Sequence, residues 1–136
     1  MAGAVGLLLL GQKIVGKDGA LVALIFYLFL PYGAVASRSF QPDPLMVSLL
    51  IFTLLAIVRW HEHPTWGRTV LAGLLGGMAI LVKTVAAFFV AGAWIGLLFS
   101  SFNLRELLAN RKVWAAAALS LLPYAGFFIY GMYIEG

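Results

Sequence analysis

The stretch of sequence that decides the fold is residues 69–99, which read TVLAGLLGGMAILVKTVAAFFVAGAWIGLLF. One charged side chain, Lys83, separates two apolar runs, 69–82 and 84–99. A helix needs about 20 residues to cross a hydrocarbon core about 30 Å thick, so we expect the helix ends to extend through interfacial residues. The pattern predicts two antiparallel membrane helices that are joined by a turn at Lys83.

The composition of the whole chain favours the same class of protein. The chain has 136 residues, of which 63% are hydrophobic and 10% are charged, and its mean hydropathy is +1.02. Soluble domains are about 45–50% apolar and about 25% charged. Disordered chains are poor in aromatic residues and rich in charge, whereas 14% of this chain is aromatic. The composition therefore excludes both classes. The remaining class is a polytopic membrane protein, so we expect the lipid bilayer to be a partner. The basic residues are scattered singly, which argues against nucleic acid as a partner.

Further apolar runs lie on both sides of residues 69–99, at 3–10, 19–36, 44–58 and 113–134. The first is too short to cross a membrane and is preceded by no basic residue, unlike a signal peptide. We interpret it as a truncated helix and expect the chain to be a piece of a longer protein. The predicted fold class is all-α: a polytopic transmembrane helix bundle of about five full spans plus a truncated N-terminal helix. Residues 1–136 would form a single membrane-embedded domain.

The basic residues are distributed unequally between alternate loops. The second and fourth loops carry only Arg38 and Lys83, whereas the first, third and fifth carry Lys13, Lys17, Arg59, Arg68, Arg105, Arg111 and Lys112. Because short cytoplasmic loops are rich in lysine and arginine, we expect the richer set to face the cytoplasm. The loops with Arg38, Asp43 and Lys83 would then be extracytoplasmic. An aromatic belt would place Trp60, Trp66 and Trp114 at the cytoplasmic interface, and Tyr32, Tyr130 and Tyr133 at the outer one.

Residues 37–45, which read SRSFQPDPL, contain the most informative polar group of the chain. Asp43 stands between Pro42 and Pro44 at the start of a predicted helix, where proline favours the first helical position. One interpretation is a helix N-cap, in which the aspartate accepts free backbone N–H groups. That interpretation leaves Arg38 unexplained, because the charge rule disfavours a cation on this face. The alternative is a functional site, since ionisable residues at a membrane boundary commonly mark one.

Lys83 also admits two interpretations. A lysine at a helix C-terminus is favoured by the helix dipole, and its long side chain can extend to the interface. As a site residue it would pair with Asp43, or hold an anionic ligand such as a phosphate. From the antiparallel arrangement we predict that the Asp43 carboxylate and the Lys83 ammonium lie within about 6 Å, a range in which opposite charges interact appreciably.

Two other patterns are assigned no chemistry. His61-Glu62-His63 resembles a metal motif, but histidines two apart do not share a helix face, so we expect a solvated loop and no metal site. Gly73 and Gly77, and likewise Gly92 and Gly96, are spaced as in small-xxx-small motifs. We expect all four glycines to lie at helix–helix contacts.

The motif Ser37-Arg38-x-x-x-Pro42-Asp43-x-Leu45, which follows an apolar run with Pro31 near its end, resembles a known family. So does the next hairpin, with Trp66, the run AGLLGG at 72–77, and Lys83. Both are similar to family-C membrane glycosyltransferases, the superfamily of dolichyl-phosphate-mannose–protein mannosyltransferases and the bacterial aminoarabinose transferase. The similarity covers roughly residues 10–99.

The resemblance implies an integral membrane enzyme of a bacterial or archaeal cell membrane. Such an enzyme transfers a sugar, with inversion, from a polyprenyl-phosphate donor to a protein or lipid acceptor on the extracytoplasmic face. It makes Lys83 and Arg38 candidates for substrate binding, at the phosphate. Asp43 becomes the candidate catalytic carboxylate, which would orient Lys83 or the sugar rather than act as principal base.

The family's main carboxylate lies in the first extracytoplasmic loop, upstream of this chain, so the resemblance implies an internal fragment that is inactive alone. It leaves a divalent metal open as a cofactor of the full-length enzyme. The rival hypothesis is a membrane transporter fragment or a non-catalytic membrane subunit. Transporters use broken helices near the midplane, and Pro123 is the one hint of such a helix.

Overall fold

The computed structural model describes residues 2–29, 43–101 and 110–135, without the side chains of Asp43, Ser100, Ser101 and Glu135. These residues form helices and no strand, so the all-α prediction is confirmed for them. The helices in chain order are α1 (Ala2–Ile14), α2 (Gly16–Phe29), α3 (Asp43–Glu62), α4 (Trp66–Val82), α5 (Ala86–Ser101) and α6 (Arg111–Glu135).

Helices α1 and α2 form a hairpin whose turn depends on one glycine. Gly16 has a φ of 81°, a left-handed backbone conformation that glycine adopts at little cost. Near this turn the helices approach closely, because a Cβ built on Gly11 would lie 2.9 Å from the Cβ of Ala20. On the side of α1 that faces α3, Gly3 and Gly6 allow the same kind of approach to Ser48 and Ile51.

Helices α3 and α4 form the central antiparallel hairpin of the bundle. Thr65 begins α4 as its N-cap, and its hydroxyl accepts from the Arg68 backbone N–H at 3.4 Å. Trp60, near the end of α3, is fully buried, and its indole N–H donates to the Thr69 hydroxyl at 2.9 Å. Thr69 in turn donates to the Thr65 carbonyl at 2.9 Å. This chain of bonds fixes the register of α3 against α4.

The burial of Trp60 corrects one expectation. The sequence predicts an interfacial belt of Trp60, Trp66 and Trp114, and the last two are 57% and 59% exposed. Trp60 instead has no exposed surface, because it follows Thr53 and Ile57 at helical spacing and points into the bundle. Tyr130 and Tyr133 are exposed, and Tyr32 lies outside the described residues.

Helix α5 packs on the α3–α4 hairpin through a stripe of larger side chains. Val90, Trp94 and Leu98 recur every four residues on one face, and all three are buried. The rings of Trp94 and Trp60 meet edge to face, with centroids 5.1 Å apart and planes inclined by 70°. Such aromatic pairs contribute about 0.5–1.5 kcal/mol beyond the area that they bury.

The glycine prediction is right for α4 and wrong for α5. A Cβ on Gly73 would lie 2.7 Å from the Leu119 Cβ, and one on Gly77 would lie 2.8 Å from the Pro123 Cγ, so both glycines pack against α6. Gly92 and Gly96 have no described atom within 4 Å of a built Cβ. They lie outside the stripe of Val90, Trp94 and Leu98, which is the face that α5 presents to the hairpin.

The number of membrane spans stays a prediction. Among the described residues, two helices are long and apolar enough to cross a membrane: Pro44–Glu62, with a mean hydropathy of 1.7, and Arg111–Ile134, with 1.6. Ala2–Ile14, Trp66–Val82 and Ala86–Phe99 are apolar but shorter. Among the described residues, length and composition alone therefore support two spans, and the other predicted spans are not confirmed. Helix α6 runs through Pro123 without a break, so the hint of a discontinuous helix is not supported.

Candidate functional site

The antiparallel α3–α4 hairpin gives the bundle two chemically different ends. Trp60 lies level with Thr69, and Thr53 lies near Gly76, so the residue numbers in the two helices run in opposite directions. Helix α3 therefore begins with Asp43 at the end where α4 finishes before Lys83. The other end holds the α3–α4 turn and lies about 25 Å away, the length of 17 residues at 1.5 Å each.

One end of the hairpin contains the Asp43 backbone and Lys83, two of the three residues singled out in the sequence. Asp43 is the first residue of α3, at the start of the helix as predicted. The structure describes its backbone but not its side chain. Arg38 lies outside the described residues. The predicted distance of about 6 Å between Asp43 and Lys83 thus stays a prediction, as does any convergence of the three groups. The structure brings the two helix termini to one end of the hairpin.

Lys83 is the C-cap of α4. Its backbone is extended, with φ −155° and ψ 118°, and its N–H donates to the Ala79 carbonyl at 3.1 Å. Its own carbonyl accepts from the Ala86 N–H at 2.9 Å, so one tight turn leads from α4 into α5. The side chain is exposed. This position at a helix C-terminus favours a cation, and it leaves both interpretations of Lys83 open.

The opposite end contains a network of charged side chains. The Lys13 ammonium, at the end of α1, donates to both carboxylate oxygens of Glu62 at the end of α3, at 2.5 and 2.7 Å. The Arg68 guanidinium donates to the Arg59 carbonyl at 2.6 Å and thereby caps the last turn of α3. The Lys112 ammonium, at the start of α6, donates to the Pro64 carbonyl.

These contacts join the first, third and fifth loops of the predicted topology. Lys13 belongs to the first, Glu62 and Pro64 to the third, and Lys112 to the fifth. Charge counting alone placed these loops on one side, and the structure puts the residues that it describes at one end of the bundle. The assignment of that end to the cytoplasm is not tested and stays a prediction.

The histidine pair is not part of a described metal cluster. Helix α3 extends through His61 to Glu62, and the Glu62 carboxylate forms a salt bridge with Lys13. Within residues 2–29, 43–101 and 110–135, no group of three or more histidine, cysteine, aspartate or glutamate side chains could hold a metal ion.

Comparison with protein families shows the class of protein to which the chain belongs. The family model of dolichyl-phosphate-mannose-protein mannosyltransferases matches residues 1–130. The chain belongs to this mannosyltransferase family. The match confirms the resemblance and extends it beyond residues 10–99, into α1 and α6. Neither the curated proteins nor the solved structures gave a match.

Membership in the mannosyltransferase family indicates a glycosyltransferase in general terms. The family is embedded in membranes, in agreement with the two long apolar helices.

The sequence did not predict the partners of the charged residues at the basic end. Lys13 and Glu62 are 49 positions apart, and Lys112 and Pro64 are 48 apart. No local pattern pairs residues at such a distance. The burial of Trp60 did have a signal, because Thr53, Ile57 and Trp60 share one helical face.

Proposed function

We propose that this chain is part of an enzyme that transfers a sugar from a polyprenyl-phosphate donor to a protein or lipid acceptor on the extracytoplasmic face. The observation that carries the proposal is the family match over residues 1–130. In such a transfer an acceptor nucleophile attacks the anomeric carbon and forms the new glycosidic bond, and its proton passes to the carboxylate that the resemblance places in the first extracytoplasmic loop. The bond from that carbon to the phosphate oxygen breaks, the phosphate keeps the electron pair, and the configuration inverts.

Lys83 is our candidate for stabilising the leaving phosphate. Negative charge builds on the leaving group as the bond breaks, and a fixed cation lowers the free energy of that transition state. Lys83 lies at the end of the bundle where α3 begins, and it caps α4 with a backbone held by hydrogen bonds on both sides. A short, bonded turn limits the movement of the Cα from which the ammonium extends.

Asp43 and Arg38 complete the proposed site. Asp43 would orient Lys83 or the sugar from the first residue of α3, and Arg38 would contribute a second cation at the phosphate. The start of α3 and the end of α4 belong to one end of the hairpin, which supports this grouping. We assign no step to a metal ion.

The proposal is tested by transfer assays with the full-length enzyme that contains this chain, in membranes supplied with a polyprenyl-phosphate-linked mannose donor. Lys83→Ala should lower the transfer rate by about 10²–10³-fold, the effect of removing one group that stabilises developing charge. Lys83→Arg should retain part of the rate because the cation is kept. Lys17→Ala, at the other end of the bundle, is the matched control and should transfer normally.

The alternative roles give different results in the same assay. Full activity of Lys83→Ala at normal expression would reduce Lys83 to a snorkelling anchor. Movement of the labelled donor across the membrane, without formation of a glycosylated acceptor, would instead indicate the rival transporter.

A further inference from the structure

A groove along the α3–α4 hairpin joins two arginines to an apolar surface. Its volume is about 280 Å³, and its lining includes Arg59, Arg68, Phe52, Leu55, Leu71 and Leu75. The groove lies at the basic end of the bundle, away from Asp43 and Lys83. It therefore plays no part in the proposed transfer site.

The groove follows from residue spacing on two antiparallel helices. In α3, Phe52, Leu55 and Arg59 are separated by three and four positions and so share one face. In α4, Arg68, Leu71 and Leu75 share a face in the same way. Each helix thus carries its arginine at the basic end, with apolar side chains extending from it toward the bundle centre.

The Arg68 guanidinium lies against the backbone of Arg59, and both residues line the groove. Nη1 of Arg68 donates to the Arg59 carbonyl at 2.6 Å and approaches the His63 carbonyl at 3.5 Å. A guanidinium has five N–H donors in a planar fork, and these bonds use only those on Nη1. Arg59 is exposed, and no acidic residue is among the described residues that line the groove. The two arginines therefore put positive charge at the mouth of the groove, and the Glu62 carboxylate, which Arg68 also attracts, is paired with Lys13.

The body of the groove requires an apolar occupant. Leu71 is 52% exposed, Phe52 and Leu75 are half-buried, and Leu55 is buried. The volume is several times the share of a water molecule in the liquid, about 30 Å³. Free phosphate would satisfy the arginines but leave these side chains uncovered. A molecule with a phosphate at one end and a hydrocarbon chain at the other satisfies both parts.

We propose that this groove binds an anionic phospholipid of the surrounding bilayer. The phosphate accepts hydrogen bonds from the Arg59 and Arg68 guanidiniums, and one acyl chain lies along Phe52, Leu55, Leu71 and Leu75. Arginine suits this role because its planar fork matches phosphate geometry. Clusters of basic side chains at the membrane surface select anionic over zwitterionic lipids.

The test is titration of lipid into the purified chain in dodecyl maltoside, with the bound lipid counted by native mass spectrometry. Phosphatidylglycerol should bind as one retained molecule, and phosphatidylcholine should bind more weakly. Arg59→Gln should weaken phosphatidylglycerol binding about fivefold, the change that corresponds to about 1 kcal/mol for one basic residue near an anionic surface. Arg59→Lys should weaken it less. Lys17→Gln removes a cation at the same end but outside the groove and should leave binding unchanged.

A second pair of variants tests the apolar part independently of charge. Leu71→Trp places a larger side chain in the groove and should reduce the retained lipid. Leu74→Trp is the matched control, because Leu74 is 43% exposed on the same helix but does not line the groove. Arg59 is preferred to Arg68 for substitution because Arg68 also caps α3, and its loss would disturb the fold.

Four results would overturn the proposal. The first is equal retention of phosphatidylglycerol and phosphatidylcholine. The second is competition by inorganic phosphate at the concentration of the lipid, which would mean that the arginines bind the anion alone. The third is equal loss of lipid in Leu71→Trp and Leu74→Trp. The fourth is self-association that excludes lipid from the groove, which would show that a second chain is the occupant.

Discussion

Helices α4 and α5 carry the same small-residue spacing and use it differently. In α4, Gly73 and Gly77 face α6, and Pro123 packs directly on Gly77. In α5, Gly92 and Gly96 have no described neighbour, and packing depends on Val90, Trp94 and Leu98. The comparison teaches that a glycine pair permits a close helix contact but does not create one. The larger side chains on the other faces of the helix decide which face is buried.

Gly77 also accommodates the proline of α6. Proline has no N–H, so Pro123 cannot donate to the carbonyl of Leu119 in the turn before it. That carbonyl lies 2.9 Å from the position that a Cβ on Gly77 would occupy. A glycine lets the two backbones approach, and a Cα–H can then face the carbonyl oxygen. Any larger residue at 77 would collide with both Pro123 and Leu119.

The largest expected effect tests the aromatic packing of α5. Trp94→Ala removes a side chain that is only 8% exposed and that packs against Trp60, so stability should fall by about 3–5 kcal/mol. The measurement is the unfolding free energy in mixed micelles of dodecyl maltoside and SDS. Phe88→Ala is the matched control, because Phe88 on the same helix is 80% exposed. Equal losses in both variants would mean that α5 does not pack through the Trp94 face.

The next prediction compares one glycine of each pair directly. Gly77→Leu should destabilise the chain by about 1–3 kcal/mol, the usual cost of overpacking, because the side chain would meet Pro123 and the Leu119 carbonyl. Gly92→Leu should not lower the melting temperature in detergent, because space is open around Gly92. If Gly92→Leu proves as damaging as Gly77→Leu, the glycine face of α5 is covered in the intact protein, and the contrast between the helices fails.

An effect of comparable size separates the two tryptophans of the α3–α5 contact. The Trp60 indole N–H donates to Thr69, whereas the buried Trp94 indole N–H has no hydrogen-bond partner among the described residues. Thr69→Val should therefore cost about 1–3 kcal/mol, because it leaves the Trp60 N–H buried and unsatisfied. Thr84→Val, at an exposed position, is the control. Tryptophan fluorescence during unfolding measures the stability of both variants. An unchanged unfolding midpoint for Thr69→Val would mean that the Trp60–Thr69 hydrogen bond does not fix the register of α3 against α4.

The smallest effects come from single methyl groups. Gly92→Ala should raise stability by up to about 1 kcal/mol, since alanine is the better helix former and space is open. Gly73→Ala should lower it, because the new Cβ would lie 2.7 Å from Leu119 and 3.1 Å from the Ala116 carbonyl. Changes of opposite sign in the melting temperature would support the contrast between the glycines of α4 and α5. Changes of the same sign in both variants would contradict it.

The sequence by itself determined the class of the protein and the grouping of its loops. Apolar runs bounded by charges predicted α3 to α6 in the right order, since hydrophobic length and helix breakers act locally. The excess of basic residues in alternate loops grouped Lys13, the turn at Glu62 and Pro64, and Lys112, and their contacts agree. The motif around Asp43 and Lys83 indicated the mannosyltransferase family, which the family match confirms.

Only the tertiary structure decided which face of each helix is buried and which side chains meet across the bundle. Trp60 is a core residue rather than a belt residue because α4 offers it Thr69 and α5 offers it Trp94. Gly73 and Gly77 contact α6, which no spacing within α4 specifies. The groove at Arg59 and Arg68 exists only when α3 and α4 lie side by side in this register. Local sequence specifies a helix and its apolar stripe, but partner choice depends on shape and contacts between residues far apart in the chain.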